Sequence, residues 1–422
     1  MPLNLQGAET QAAPFPLPFF EFVTLMALLQ ALTALSIDVM LPALPLIGSG
    51  LGAGGENSRQ LVVSVHFVGF AMGQLLFGPL SDRYGRRLPL LTGIGIYIAG
   101  TVLAIASTSF AALLVARVVQ GFGAASPRVI SVAIERDRFM GREMARVMSF
   151  ITMVFIVVPL LAPGIGEIIL QISSWRAIFY FLFAVAMSCA IWTWLRLPET
   201  RHDEDRLPVS FQSVRKAVKL VVATRQTCGY AIASGFVLGI LFGYIVSAQQ
   251  IFGELYGLGP LFPIAFGTIS LFLVAAAGLN AKFVRKLGMR HVSHVAMLAG
   301  LFLCAVMALA GFPEKPPLLL FGAFMGCVFF CFGVIMPNFS ALSMEPMGHI
   351  AGTASSLTAF YATASGAACA TAIGQSYDGT VRPLCIAIAL LFVATLITVL
   401  LTERFKLLQH KTALESPTPQ GK

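Results

Sequence analysis

Long, mostly apolar stretches with few charges alternate along the chain with short polar connections. They are Phe19–Ile47, Leu61–Leu80, Leu88–Ser107, Phe110–Ile134, Val147–Leu170, Ala177–Leu195, Gly229–Gln249, Leu261–Leu279, Val292–Gly311, Leu318–Leu342, Gly352–Gln375 and Leu384–Leu401. A helix crosses the hydrocarbon core of a bilayer with about 20 largely apolar residues. Lipid offers no partner to a free backbone N–H or C=O, so each stretch predicts a membrane-crossing helix. The first stretch is too long and too marked by proline for a cleaved leader, and no small-residue cleavage site follows it. The longest polar segment, 196–225, contains Glu199-Thr-Arg-His-Asp-Glu-Asp205 and divides the spans six and six. The expected organisation is a tail at 1–18, a six-helix half at 19–195, a central loop at 196–225, a second half at 226–403 and a tail at 404–422. The fold class is all-α integral membrane: twelve transmembrane helices in two pseudo-symmetric halves.

Composition agrees with this reading. Hydrophobic residues make up 57% of the chain and charged residues 11%, against about 25% charged in a soluble domain. With the N-terminus inside, 22 of the 28 Lys and Arg residues fall on inner loops and the C-terminal tail. The outer loops hold only Arg59, Arg176, Lys315 and Arg382, and Arg117 and Arg128 lie within the fourth span. Cytoplasmic loops carry the Lys/Arg excess, so both termini are expected in the cytoplasm. The net charge of +9 is this inner-face bias. The basic residues are scattered over short loops with no domain behind them, which argues against a nucleic-acid partner. The seven cysteines lie in or beside spans with no CxxC pair, and read as small packing residues. No cofactor and no metal site are expected.

The loop after the second span reads Gly78-Pro-Leu-Ser-Asp82-Arg83-Tyr-Gly85-Arg86-Arg87. It fits G-x-x-x-D-R-x-G-R-R without a gap, and here the chain resembles the major facilitator superfamily. Asp82 among Arg83, Arg86 and Arg87 can latch helix ends together. Gly78 permits close helix approach, and Gly85 a tight turn with positive φ. A fainter copy, Lys282-Phe-Val-Arg-Lys-Leu-Gly288-Met-Arg290, follows the eighth span, with Gly288 lying 203 residues after Gly85. Two parallel six-helix repeats are what that superfamily shows. The copy has Arg285 where Asp82 should stand, so its latch is expected to be degenerate.

Span 4, with Arg117-Val-Val-Gln120-Gly-Phe-Gly, resembles the element that carries a buried cation in proton-coupled members. Arg128 lies 11 residues on, about 20° around the helix and roughly 16 Å along it. It reads either as a second cavity cation or as a residue snorkelling to the inner end. Span 1 contains Asp38, read as the one acid well inside an apolar stretch, before Pro42 and Pro45. It stands at a depth similar to Arg117. A carboxyl there could bind and release a proton as the cavity changes access, or could simply neutralise the arginine. His66 is a second titratable candidate or a packing residue. Span 5 carries Ala162-Pro163-Gly-Ile-Gly166-Glu167, a partial match to the G-P-x-x-G-G element of superfamily antiporters.

With Ser174-Trp-Arg-Ala177, Pro337-Asn338 and Gly352-Thr-Ala-Ser355, these features look like the Bcr/CflA branch of drug-resistance exporters, across residues 19–403. The resemblance implies proton-driven efflux of drug-like compounds and no enzyme activity. Substrate sites in such transporters lie near the midplane between the halves. The expected lining is Phe67, Phe70, Gln120, Met153, Tyr244, Gln249, Met336, Asn338 and Tyr361. The expected partners are small-molecule substrates, protons and the bilayer of a bacterial inner membrane, with the chain as a monomer. A same-fold alternative is a transporter of a sugar or amino acid. A membrane enzyme or receptor is a third reading, without a recognisable metal cluster, nucleophile–base pair, phosphate loop or sensor domain.

Overall fold

The computed structural model describes residues 17–139, 141–201 and 211–408. Most of the expected tails and part of the 196–225 loop lie outside these residues. Every regular element among the described residues is helical. In the first half these are α1 (Phe19–Asp38), α2 (Leu44–Leu51), α3 (Leu61–Tyr84), α4 (Arg87–Ile105), α5 (Phe110–Arg138), α6 (Gly141–Ile172) and α7 (Arg176–Arg196). A short α8 (Phe211–Ala223) precedes α9 (Arg225–Ala248), α10 (Phe262–Leu287), α11 (Met289–Leu309), α12 (Leu318–Met344), α13 (Ala351–Gln375) and α14 (Arg382–Thr402).

Among the described residues ten helical stretches are long and apolar enough to cross a membrane. The other two crossings have separate reasons for falling short of that measure. In α6 only Val157–Ile172 qualifies as a shorter apolar helix. In α13 the sequence is dominated by Ala, Gly, Ser and Thr, which lowers its hydropathy. Small residues suit α13 because it is wedged between α9 of its own half and α3 of the other, where backbones approach closely.

Each expected span is met by a helix, and the differences lie at the ends. Helices α3, α5 and α10 run past the apolar stretch into Ser81–Tyr84, Glu135–Arg138 and Asn280–Leu287. The backbone keeps its hydrogen bonds where side chains already meet water and headgroups, so hydropathy stops before the helix does. The first span is broken. α1 ends at Asp38, a 3-10 turn covers Leu41–Ala43, and α2 carries Pro45 at its start. Neither proline can donate to a helix ladder. Helix α9 continues as a π-helix over Gln249–Leu255, a form that is rare and often marks functional positions.

The packing repeats. In the first half α1 packs on α6 and α7, α3 on α5, and α4 on α5 and α7. The second half repeats these pairs as α9 on α13 and α14, α10 on α12, and α11 on α12 and α14. Two contacts exchanged by the same pseudo-symmetry join the halves, α3 with α13 and α6 with α10. Within the first half, α3 crosses α5 so closely that a Cβ at Gly69 would strike the Val118 carbonyl, and one at Gly121 the His66 carbonyl.

We call the end carrying the α3–α4 turn the basic end and the opposite one the outer end. Apolar burial differs between them. One core runs through the whole second half and into the outer end of the first, through Leu41, Ile47, Val62, Phe67 and Trp175. The basic end of the first half has a separate core around Phe22, Leu29, Phe77, Ile134 and Val147. The halves are thus fused at the outer end and keep distinct cores at the basic end.

Candidate functional site

The break in α1 shapes the buried polar centre. Met40 N–H turns to the Ile37 carbonyl, and the Ser36 carbonyl accepts Arg117 Nη2 at 3.0 Å instead. Arg117 Nε donates to the Val62 carbonyl at 3.0 Å, and Nη1 to Gln120 Oε1. Gln120 Nε2 passes the chain to Thr101 Oγ1 at 2.8 Å. Arg117 is fully buried and staples α1 and α3 to α5 through backbone oxygens. Among the described residues no ion pair joins it to Asp38, so the neutralising pair considered from the sequence is not formed. Gln120, expected in the substrate lining, is buried in the α4–α5 contact.

Asp38 is 3% exposed at the last position of α1. Tyr244 of α9 lies within its electrostatic reach across the halves. The Tyr244 ring packs edge-on against Phe329 and stacks on Phe266, and its hydroxyl has no hydrogen-bond partner among the described residues. His66 is fully buried and within electrostatic reach of Arg117. Gly166 of α6 sits against the Val39 carbonyl, where a Cβ would not fit. The Pro163–Gly166 element therefore seats on the α1 break beside Asp38.

Asp38 is not the only acid inside a span. Glu135, beyond the apolar stretch that ends at Ile134, is fully buried near the end of α5. Its Oε1 accepts Gln30 Nε2 at 2.7 Å, and Gln30 Oε1 accepts Arg128 Nη1. Arg128 is thus tied into the α1–α5 contact. Hydropathy alone does not reveal Glu135, because it falls off at Ile134 while α5 runs on to Arg138.

At the basic end Arg86 is the hub. Its Nε and Nη2 donate to Asp137 at 2.7 and 3.2 Å, and its Nη1 to Asp82 Oδ1 and Ser81 Oγ, both at 2.8 Å. Burial works against the Arg86 charge, but the bonds and charges of Asp137 and Asp82 hold its pKa above the usual arginine value. Asp82 also takes Arg201 Nη1 at 2.6 Å. Glu199 accepts the backbone N–H of Arg86 and Arg87 at 2.7 and 3.1 Å. Gly85 has φ +85°, and the Glu199 carboxylate fills the space a Cβ would need. Arg87 reaches the Trp194 carbonyl. Arg83 instead lies over the Tyr84 ring, outside this cluster. Asp82 Oδ2 would stand 3.2 Å from a Cβ on Gly352, in the first turn of α13. The carboxylate thereby faces the positive end of that helix across the halves. A Cβ on Gly78 would meet Ser356 Oγ of α13. No local signal marks Asp137, Glu199 and Arg201, because they lie on other elements, Asp137 in the last turn of α5 and the other two after α7.

The remaining lining candidates scatter. Phe67 stacks on Phe242 across the halves at 3.7 Å between centroids. Phe70 is buried in the first half's own core. Gln249 is buried at the start of the π-helix. Asn338 Nδ2 bonds Asn280 Oδ1 at 2.7 Å inside the second half. Met336 is half-buried and Tyr361 is 42% exposed. The Met153 side chain lies outside the described residues.

The outer end is clasped by Asn57 and Arg59. Asn57 Nδ2 donates to the Gln375 and Tyr377 carbonyls at 3.1 and 2.8 Å, and Oδ1 accepts Gln250 Nε2 at 2.7 Å. Gln375 Nε2 returns a bond to the Asn57 carbonyl at 2.8 Å, and Arg59 pairs with Glu254 of the π-helix.

Residues 26–371 match the family model described as Major Facilitator Superfamily. A bicyclomycin resistance protein homolog of Haemophilus influenzae is 31% identical over 381 residues, which is 86% of this chain and 92% of that protein. Multidrug resistance protein D of Escherichia coli is 27% identical, over 80% of this chain and 84% of that protein. A chloramphenicol resistance protein of Pseudomonas aeruginosa is 30% identical, over 67% and 68%. In fold, a D-xylose-proton symporter superposes with a TM-score of 0.73 at 14% identity, over 93% of this chain and 99% of that one. With a helical bundle of two repeated halves and a matched model over most of its length, this chain belongs to the Major Facilitator Superfamily.

Proposed function

We propose that this protein is a proton-coupled antiporter that exports small amphipathic, drug-like compounds by alternating access. The observation that carries the reading is Asp38: a buried carboxyl at the break of α1, with no ion pair among the described residues and within electrostatic reach of Tyr244 of the other half. A purely structural acid would be expected to hold Arg117, and Arg117 is satisfied by carbonyls and Gln120. Relatives named for bicyclomycin, chloramphenicol and multidrug resistance support the direction and the substrate class.

In this reading Asp38 takes and releases the proton, Arg117 fixes the α1 break that presents it, and His66 is the next titratable group. Substrate binds between the halves against Phe67, Tyr244, Gln249 and Met336. The units 19–195 and 226–403 rock as monomer halves in a bacterial inner membrane, both termini in the cytoplasm, with Asp82–Arg86 as the inner latch. Transport needs no covalent step, so no enzyme activity is assigned.

The test is accumulation of ethidium in cells expressing the protein, with and without a protonophore. Asp38→Asn should insert normally and lose protonophore-sensitive efflux while retaining ethidium binding in detergent. Equal efflux by Asp38→Asn and wild type at matched expression would overturn the role of Asp38. Ethidium uptake driven inward would overturn the direction.

A further inference from the structure

Glu135 lies in none of the machinery assigned above. It is fully buried inside the long helix α5, within a stretch apolar enough to span the membrane. One of its oxygens accepts Gln30 Nε2 at 2.7 Å. The other has no hydrogen-bond partner among the described residues. The acids at the nearby latch differ: Asp82 and Asp137 each hold arginine side chains directly. A buried carboxylate that serves only as a permanent anchor should have both oxygens satisfied, because an unmet buried acceptor is costly.

The surroundings tell what the spare oxygen can do. Gln30 stands between the acid and a cation, its amide nitrogen on Glu135 and its amide oxygen on Arg128. The charges acting on Glu135 are Arg128 and, more weakly, Arg136, both on α5, while α1 presents the neutral Gln30. The apolar core at this end runs through Leu29, Ile130, Ile134, Val147 and Ile151. The amide bridge can persist in either protonation state, since a carboxyl oxygen accepts from Gln30 whether or not the other oxygen carries a proton. Gln30 also precedes Asp38 by eight residues on α1, about 12 Å along the helix axis. Helix α1 therefore connects two buried acids at two depths, Asp38 near the break and Glu135 toward the basic end.

We propose that Glu135 is a second proton-carrying carboxyl of the transport cycle, loaded at Oε2 and bridged to Arg128 through Gln30. An O–H bond forms at Oε2 with a proton from water and breaks when that proton returns to water, with no change in oxidation state. The proposal rests on the antiport reading, and its test separates the two. Glu135→Gln keeps an acceptor for Gln30 and removes the titration.

Infrared pH-difference spectra of the purified protein, between about pH 5 and pH 9, should show two protonated-carboxyl signals. One should vanish in Asp38→Asn and the other in Glu135→Gln. Ethidium efflux in vesicles under a fixed pH gradient should fall about tenfold in Glu135→Gln, within the range of a coupled site, and lose part of its pH dependence. A Glu135→Gln spectrum identical to wild type overturns the proposal. A lost signal with an unchanged efflux pH profile also overturns it, because the group then titrates without carrying. If Asp38→Asn keeps every signal while Glu135→Gln loses one, the Asp38 reading fails and Glu135 stands. A variant that does not fold is replaced by Gln30→Leu, which removes the bridge and should shift the Glu135 signal in pH; no shift overturns the proposal.

Discussion

We predict that Asn57→Ala opens the outer end. The side chain of Asn57 supplies three hydrogen bonds between the halves, to the Gln375 and Tyr377 carbonyls and from Gln250. The fourth bond, from Gln375 Nε2, uses the Asn57 backbone and survives the substitution. Each lost bond is worth about 0.5–1.5 kcal/mol net. The bond to Gln375 is exposed and the other two are part-buried, which places the sum near the lower half of the range, about 2 kcal/mol. In an open state these groups meet water, so the loss falls on the closed state alone. At about 1.4 kcal/mol per decade, the ratio of closed to open molecules should drop roughly 30-fold. Gln375→Ala removes one exposed bond, and should shift the ratio only about threefold on the same scale. Spin labels at Gly54 and Asp378, both exposed at this end, would report the two populations by pulsed EPR in a background without the seven native cysteines. An unchanged short-distance population in Asn57→Ala, or a larger effect of Gln375→Ala, would refute the reasoning.

Other perturbations test the remaining sites. Asp82→Asn removes a carboxylate shared by Arg86 and Arg201; at part-exposed sites we expect about 1 kcal/mol against the basic-end contact and slower efflux, and unchanged efflux at equal expression would count against the latch. Arg117→Lys cannot reach the Val62, Ser36 and Gln120 oxygens together, so a loss of about 3 kcal/mol is expected; an unaltered Tm would disprove the stapling role. Single cysteines at Glu56 and at Lys216 on α8 should react from opposite sides of the membrane, and labelling of both from outside would sink the topology.

The helices were legible in the sequence because a bilayer imposes one rule, an apolar stretch of sufficient length, and among the described residues ten crossings obey it, with α6 and α13 approaching it. What hydropathy cannot see is a helix end that carries on into polar residues. Glu135 was lost for that reason, and so were the last turns of α3 and α10. The motif Gly78–Arg87 was legible because its residues act within one loop. Its partners come from elsewhere, Asp137 from the last turn of α5 and Glu199 and Arg201 from the connection after α7, and nothing local marks them. Asp38 and Arg117 were found by type and depth, yet depth does not fix direction. Arg117 turned toward the Ser36 carbonyl freed by the α1 break and the Val62 carbonyl of α3, the first decided by backbone geometry around Pro42.

The two halves show how far one backbone repeat constrains chemistry. Gly85 and Gly288 both adopt positive φ, at +85° and +80°, after equivalent helices. Around Gly85 the Glu199 carboxylate packs against the turn, whereas a Cβ at Gly288 would meet open space. Arg285, standing where Asp82 stands in the first half, is exposed. Arg290 finds its acids elsewhere, Glu345 at 3.1 Å and Glu403 at 3.0 Å, with Glu403 also taking the Tyr230 hydroxyl at 2.7 Å. These bonds tie helix ends within the second half. The first-half cluster also reaches out, through Asp82 toward the first turn of α13. A carboxylate at a helix N-terminus is worth about 0.3–1 kcal/mol and fades within a turn of separation. Such a contact stabilises one arrangement of the halves and vanishes when they part at this end. The second half offers α6 no acid in the corresponding place, since Arg285 occupies it. Among the described residues the acid that meets a partner helix at the basic end lies on the α3–α13 side, so Arg285→Ala should leave the balance between open and closed states where it was, whereas Arg285→Asp would present α6 with the acid it lacks and should favour the closed basic end.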